Sequence, residues 1–100
     1  MNSLSIDGSI GTRPKSTVII VDDQSASLNI LSQTVRNIND DIYVKSYQSA
    51  SAALAEIEIY PPNLIITDYK MPEIDGIELT KRIRSMTHCN DIPIIMITIM

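Results

Sequence analysis

The chain has 100 residues, of which 44% are hydrophobic, and carries a formal net charge of -4 at pH 7. This content predicts one small globular domain, and the scattered basic residues argue against nucleic acid as a partner. No apolar run approaches the roughly 20 residues of a membrane span, and no secretory signal opens the chain. With Cys89 as the single cysteine, these features favour a cytoplasmic protein without an internal disulfide.

The first sixteen residues differ in composition from the rest of the chain. Residues 1–16 are mostly polar with isolated apolar positions, which predicts a flexible leader, and residues 17–100 form the predicted domain. Within that domain, apolar runs and helical spacing of apolar residues alternate. Strands are predicted at 17–21, 42–47, 63–67 and 94–98, and helices at about 25–37, 50–60 and 76–86.

Local signals define several of these elements more closely. Ser49 is placed to cap the second helix, and Asp75 with Glu78 resembles a capping box that opens the third. Ile74 and Leu79 are spaced to form a hydrophobic staple across the same helix start. Residues 42–47 alternate in polarity, which predicts a strand at the sheet edge with one exposed face.

The order βαβαβαβ with short connections predicts the fold class. Such alternation is typical of a parallel sheet covered by helices on both faces, a three-layer αβα architecture. Cys89 lies beside His88 in the polar stretch 87–91, after the third helix. A zinc site needs about four ligands and no others are near, so this stretch is interpreted as an ordinary loop.

Acidic residues follow two of the predicted strands. Asp22 and Asp23 come after the first strand and Asp68 after the third, so they converge if these strands are neighbours. Carboxylates that close repel one another, and a hard divalent cation such as Mg2+ would remove the conflict. The alternative is that Asp22 and Asp23 only begin a helix and Asp68 only a turn. Three carboxylates at two hydrophobic strand ends favour the Mg2+ pocket.

A carboxylate in such a pocket has a specific reactivity. Asp68 could attack a phosphoryl group, and the metal would offset charge on the phosphoryl oxygens. The acyl phosphate would carry added negative charge and acceptor oxygens. Thr98, at the end of the fourth strand, is placed for its hydroxyl to turn inward toward them, although a β-branched residue is also ordinary in a strand.

From about residue 17 to residue 100, the chain resembles a response-regulator receiver domain of two-component signalling. The resemblance rests on the order and spacing of four motifs, at residues 18–23, 64–72, 75–76 and 92–98. It implies a flavodoxin-like fold with sheet order 2-1-3-4-5 and a protein that is not an enzyme in its own right. Such a domain promotes its own phosphorylation and dephosphorylation. It takes the phosphoryl group from a histidine kinase, a phosphotransfer protein or a small donor such as acetyl phosphate.

The resemblance also implies a role for each site residue. Asp68 is similar to the family's phosphoacceptor, and Asp23 to its direct Mg2+ ligand. Asp22 corresponds to the acidic residue that helps bind the ion through water, and the backbone carbonyl of Lys70 to a further ligand. Thr98 resembles the switch hydroxyl that turns toward the phosphoryl group.

The resemblance ends at the fourth strand. The family's fifth strand, with its lysine and aromatic switch residue, and the last helices have no counterpart here, so the expected order is 2-1-3-4. We expect either a fragment of a longer protein or completion by another chain, with weaker phosphorylation than in a complete receiver. The apolar fourth strand, residues 94–100, would be an open edge through which the chain self-associates.

Two other functions fit the same residues less well. A metal-dependent phosphohydrolase also uses an aspartate after a strand, but it usually needs a second carboxylate two residues later, where Lys70 stands. An interaction module that is never phosphorylated would keep the fold without needing the acidic residues, and all three are present.

Overall fold

The computed structural model describes residues 15–98. Residues 1–14 of the predicted leader, and residues 99 and 100, lie outside the described part. All seven predicted elements are present in the predicted order. They are β1 (Ser16–Val21), α1 (Ser25–Arg36), β2 (Ile42–Tyr47), α2 (Ala50–Ile59), β3 (Leu64–Asp68), α3 (Gly76–Arg84) and β4 (Ile94–Ile97).

The four strands form one parallel sheet in the order β2-β1-β3-β4, as predicted. β1 therefore lies directly beside β3, with Val21 paired to Thr67, and β4 continues the sheet with Ile97 paired to Asp68. Because all strands run the same way, the segments that follow β1 and β3 leave the sheet at the same end, where the carboxyl ends of the strands lie. No helix in residues 15–98 has the length and apolar character that a membrane crossing requires.

Helices cover both faces of the sheet, as the alternation predicts. Neighbouring residues of a strand point to opposite faces, so each central strand supplies two cores. The core under α1 contains Val18, Ile20, Leu28, Val35, Val44 and Ile66. The core under α2 and α3 contains Ile19, Val21, Ala50, Ala53, Ile57, Ile65, Leu79, Ile83, Cys89 and Ile92. Each fully buried aliphatic side chain contributes about 1.5–3 kcal/mol through burial, so these cores stabilise the strands that position the site.

The predicted helix caps are formed. The Ser49 side chain accepts a hydrogen bond from the Ala52 amide at 3.2 Å, and Asp75 accepts one from the Glu78 amide at 2.8 Å. The Glu78 carboxylate pairs with Arg82 at 3.1 Å, so it does not serve as the second half of a capping box. Asp75 alone thus marks where α3 begins.

The predicted exposed face of β2 is wrong in detail, although β2 does lie at the sheet edge. Val44 is buried under α1, and Tyr47 packs against the core on the opposite face. Lys45 also lies on that second face, where it pairs with Glu56 of α2. A long side chain such as Lys45 can pack its aliphatic stem against a covered face and keep its charged tip near water, so alternating polarity did not show that this face is exposed.

Cys89 lies in the loop that follows α3, as predicted, but its side chain is buried. Its side chain is 0% exposed and belongs to the core under α2 and α3, with Sγ 4.0 Å from the Ile57 carbonyl oxygen. Arg84 fixes the loop by donating to the carbonyl oxygens of Cys89 and Ile92, at 3.3 and 2.6 Å. The polar neighbours in the sequence concealed the burial because a loop can turn one residue inward.

Candidate functional site

Three aspartates meet at the carboxyl edge of the sheet. Asp22 and Asp23 follow β1, and Asp68 is the last residue of β3, one residue later than the strand end predicted from the sequence. One carboxylate oxygen from each lies within 4.8 Å of the others. The predicted convergence is therefore present, because β1 and β3 are neighbours in the sheet.

Asp22 is the most buried of the three, with 5% of its surface exposed. Its Oδ1 accepts a hydrogen bond from the Gln24 amide at 3.0 Å. Burial raises the pKa of Asp22, and the charges of Asp68 and Asp23 raise it further, while the bond from Gln24 acts in the opposite direction. Without a cation, the pocket thus disfavours the charged form of Asp22. The N-cap of α1 is Gln24, without a side-chain cap, so Asp22 and Asp23 do not serve as N-caps.

Asp23 carries an unsatisfied oxygen. Its Oδ1 is buried and has no hydrogen-bond partner among residues 15–98. Leaving a buried charged oxygen without a partner costs free energy, on the order of 1–3 kcal/mol or more. A bound cation would satisfy this oxygen, and the all-oxygen donor set of the three aspartates suits a hard ion such as Mg2+. The residues present therefore fit a metal site.

Asp68 is half-buried and oriented by its own strand end. Its Oδ1 accepts a hydrogen bond from the Tyr69 amide at 2.9 Å, and its carbonyl oxygen accepts one from the Thr67 hydroxyl at 2.9 Å. In the described part of the chain, nothing donates a hydrogen bond to Oδ2. One carboxylate oxygen is thus held in place, and the other is available for a ligand or a reaction.

The loop after β3 closes tightly onto the strand. The Gly76 amide, at the start of α3, donates to the Tyr69 carbonyl oxygen at 2.7 Å. A Cβ at position 76 would lie 2.7 Å from the Asp68 carbonyl oxygen and 3.1 Å from the Tyr69 Cα. Only glycine allows this approach, so the start of α3 fixes the backbone that carries Asp68.

An open cleft of about 850 Å3 extends from the three aspartates between α1, the β3–α3 loop and β4. Its lining residues are Asp22, Asp23, Gln24, Ser27, Ile30, Leu31, Asp68, Lys70, Met71, Pro72 and Ile97. Lys70 thus lies beside the aspartates, and the role of its backbone carbonyl as a metal ligand stays a prediction. Thr98 directly follows β4 at the same sheet edge, but it is exposed and does not line the cleft. The structure brings the aspartates and the Lys70 loop together, and it leaves the Thr98 side chain outside.

Two polar residues beside the site escaped the sequence analysis. Gln48, after β2, donates through Nε2 to the Asp23 carbonyl oxygen at 3.1 Å. Glu73, in the β3–α3 loop, accepts hydrogen bonds from Ser49 and Ser51 at the start of α2. The Glu73 contact has only an indirect signal in the sequence. The first turn of α2 has no acidic residue of its own, so a carboxylate from another segment can interact with its amide groups.

Comparisons with known proteins find relatives of this chain in sequence and in fold. The family described as response regulator receiver domain matches residues 18–100. The cyclic di-GMP phosphodiesterase response regulator RpfG of Xanthomonas campestris pv. campestris is 35% identical over 82 residues, which cover 82% of this chain and 22% of that protein. A chemotaxis protein CheY homolog of Campylobacter jejuni subsp. jejuni is 31% identical over 81 residues, covering 81% of this chain and 62% of that protein.

A solved structure shares the fold. The chemotaxis response regulator CheY4 of Vibrio cholerae matches with a TM-score of 0.76 at 27% identity, over 82% of this chain and 67% of that one. The chain spans less than two thirds of the length of the two sequence relatives, RpfG and the CheY homolog.

Proposed function

Because this chain belongs to the response regulator receiver domain family, we propose that it is a phosphorylation-controlled switch with Asp68 as the phosphoacceptor. One observation carries the proposal: three carboxylates from the ends of two neighbouring strands lie within 4.8 Å of one another. The buried, unpartnered Oδ1 of Asp23 supports a cation among them. Without a metal, three carboxylates this close repel one another. A bound cation would remove that repulsion and give the cluster a function.

The residues that would hold Mg2+ are those that the resemblance implies. Asp23, Asp68 and the backbone carbonyl of Lys70 would bind the ion directly, and Asp22 through water. When bound, Mg2+ would neutralise charge on the phosphoryl oxygens. Asp22 would then become fully ionised, because a cation favours the charged form of a buried carboxylate.

Asp68 provides the nucleophile. The carboxylate oxygen that does not accept the Tyr69 hydrogen bond attacks phosphorus, and a new O–P bond forms. With a phosphohistidine donor, the P–N bond breaks and the imidazole nitrogen leaves with the bonding electrons. With acetyl phosphate, a P–O bond breaks and acetate leaves. The product in both cases is an aspartyl phosphate at position 68.

Thr98 would act after this transfer. Its side chain is exposed beyond β4, so it needs to rotate or move inward before its hydroxyl can donate to a phosphoryl oxygen. This movement is the proposed switch, and it would alter the surface around the end of β4.

The proposed partner is a histidine kinase or a phosphotransfer protein, in the cytoplasm, with acetyl phosphate as a small donor. The output would be carried by sequence other than this domain. The two sequence relatives are named for different outputs, chemotaxis and cyclic di-GMP hydrolysis, which supports a receiver that does not itself determine the output. The domain would promote its own phosphorylation and dephosphorylation without turning over a separate substrate.

A direct experiment tests the phosphoacceptor. The 100-residue chain and the Asp68→Ala variant are incubated with acetyl phosphate and Mg2+ and run on a phosphate-affinity gel. A Mg2+-dependent shift in the wild type alone is expected. No shift in the wild type would favour the unphosphorylated interaction module, and steady release of phosphate from an aryl phosphate would favour the phosphohydrolase.

Self-association through β4 is a second, separable part of the proposal. β4 is an edge of the sheet formed by residues 16–97, and Ile95 on this strand is 49% exposed. An open apolar edge invites pairing with a second chain. Size-exclusion chromatography of the wild type and of Ile95→Lys tests it: a wild-type dimer that the charge abolishes is expected, and a wild-type monomer at high concentration argues against it.

A further inference from the structure

The two loops that flank the aspartates are joined through a third segment, the start of α2. On one side, Gln48 donates to the Asp23 carbonyl oxygen at 3.1 Å. On the other, Glu73 of the β3–α3 loop accepts from the Ser51 hydroxyl at 2.7 Å, the Ser51 amide at 3.3 Å and the Ser49 hydroxyl at 3.2 Å. These contacts connect the loop that carries Asp23, through residues 48–51, to the loop that carries Glu73.

The chemistry of α2 explains why a carboxylate belongs at this place. The first turn of a helix presents unpaired amide groups and a partial positive charge. The first turn of α2 has no acidic residue, so Glu73 supplies the negative charge from a segment 22 residues away. The hydrogen bonds from Ser51 and Ser49 lower the pKa of Glu73, which is the direction expected of a carboxylate that caps a helix.

The position of Glu73 connects the contact to the metal site. It immediately follows Pro72 in the loop whose residues 70–72 line the cleft. The other end of that loop is fixed at Gly76, which contacts the backbone of Asp68. The loop that carries the Lys70 carbonyl is thus anchored at α2 on one side and at β3 on the other.

We propose that Glu73 is a positioning residue for the Mg2+ site, which it serves through its contact with the start of α2. Together with Gln48, it keeps the Asp23 loop and the Lys70 loop at a fixed separation. The inference rests on the proposed function, because the role is defined by Mg2+ binding between these loops. Glu73 itself contacts no aspartate of the site.

The test compares variants of the 100-residue chain by titration calorimetry with Mg2+. Glu73→Ala should raise the Mg2+ Kd by about threefold to tenfold. That is at or below the roughly 10–100-fold effect of residues that contact metal ligands directly, because Glu73 is exposed and acts through the loop. Glu73→Gln keeps one acceptor oxygen and should give an intermediate Kd. Ser51→Ala should weaken binding in the same direction, and adding it to Glu73→Ala should have little further effect.

Two controls separate positioning from general stability. Glu58→Gln removes the same charge from an exposed site at the other end of α2, and its Mg2+ Kd should equal the wild-type value. Val35→Ala removes a buried contact under α1 and should lower stability while leaving the Mg2+ Kd unchanged. If Val35→Ala weakens Mg2+ binding as much as Glu73→Ala does, Glu73 has only a structural role.

A metal-free readout keeps this inference distinct from the proposed function. Amide hydrogen exchange at Gly76, which donates to the Tyr69 carbonyl oxygen, should be faster in Glu73→Ala than in the wild type. Exchange at Ile38, which lies just beyond the end of α1 and donates to the Val35 carbonyl oxygen, should be unchanged. The inference is overturned if Glu73→Ala leaves the Mg2+ Kd unchanged, whether or not exchange at Gly76 becomes faster. If the wild type binds no Mg2+, the proposed function is rejected, and Gly76 exchange alone then decides whether Glu73 holds the loop.

Discussion

Gly76 and Asp68 are in direct backbone contact at the base of the site. A Cβ on residue 76 would stand 2.7 Å from the Asp68 carbonyl oxygen, a distance that real Cβ atoms essentially never show. The start of α3 therefore determines the position of the strand end that carries the proposed phosphoacceptor.

Gly76→Ala is expected to disturb both stability and the site. The added methyl group has to push α3 away from β3, because the nearest atom belongs to rigid backbone. Overpacking of this kind costs about 1–3 kcal/mol, which urea unfolding would measure. The Mg2+ Kd should rise in the same variant. Ile77→Ala, an exposed substitution in the same turn, should leave the Kd unchanged, and a wild-type Kd in Gly76→Ala would contradict the prediction.

Asp22 is expected to make metal-free stability depend on pH. Burial and the neighbouring carboxylates raise its pKa in the folded state above the value in the unfolded chain. Its contribution is therefore fully present below the unfolded pKa and is lost as pH rises through the higher folded pKa. Without Mg2+, Asp22→Asn should be more stable than the wild type at neutral pH, since the amide is isosteric and keeps an acceptor for Gln24.

The difference in stability between the wild type and Asp22→Asn reports on Asp22 alone, because the other carboxylates titrate in both proteins. Thermal unfolding from pH 3 to pH 7 without divalent ions should show the advantage of Asp22→Asn growing with pH. Added Mg2+ should stabilise the wild type more than the variant. A constant difference across this range would show that Asp22 is not perturbed.

Replacing Ser32 by alanine is expected to stabilise the protein. Its hydroxyl oxygen is buried under α1 and has no hydrogen-bond partner among residues 15–98. Removing a buried unsatisfied polar group should raise the free energy of unfolding, so Ser32→Ala should be more stable by about 1 kcal/mol. Part of any gain comes from the helix propensity of alanine. The exposed Asn29→Ala measures that part on the same helix, and equal gains at both positions would refute the burial argument.

Cys89 is expected to react only when the fold opens. Its thiol is 0% exposed, and burial raises its pKa above the usual value. A disulfide exchange reagent should modify it at least about 100-fold more slowly in the native protein than in urea, because the thiolate and access are both suppressed. Immediate modification of the native protein would show that the loop at residues 87–91 is open.

The raised pKa of Cys89 also predicts an effect at alkaline pH. The folded pKa exceeds the unfolded one, so the contribution of the thiol to stability is complete below the unfolded pKa of about 8.5. It is lost as pH rises through the folded value. Between pH 8 and pH 10 the wild type should lose stability relative to Cys89→Ala in urea unfolding. Parallel stability curves for the two proteins would contradict this expectation.

The sequence by itself determined the elements and their order. Runs such as residues 18–21 and the helical spacing in α1 depend on contacts between residues a few positions apart, so they can be read along the chain. The caps at Ser49 and Asp75 are local for the same reason, since each accepts from an amide three residues later. The aspartates at strand ends were equally visible, because the end of an apolar run is a local feature.

Only the tertiary structure decided which of these features meet. The aspartates converge because β1 pairs with β3, a choice made by the packing of whole elements. Glu73 contacts Ser51, and Gln48 contacts Asp23, although 22 and 25 residues of chain separate the partners. Cys89 turns into the core although its sequence neighbours are polar. Such contacts depend on the relative placement of elements, on which local propensities carry no information.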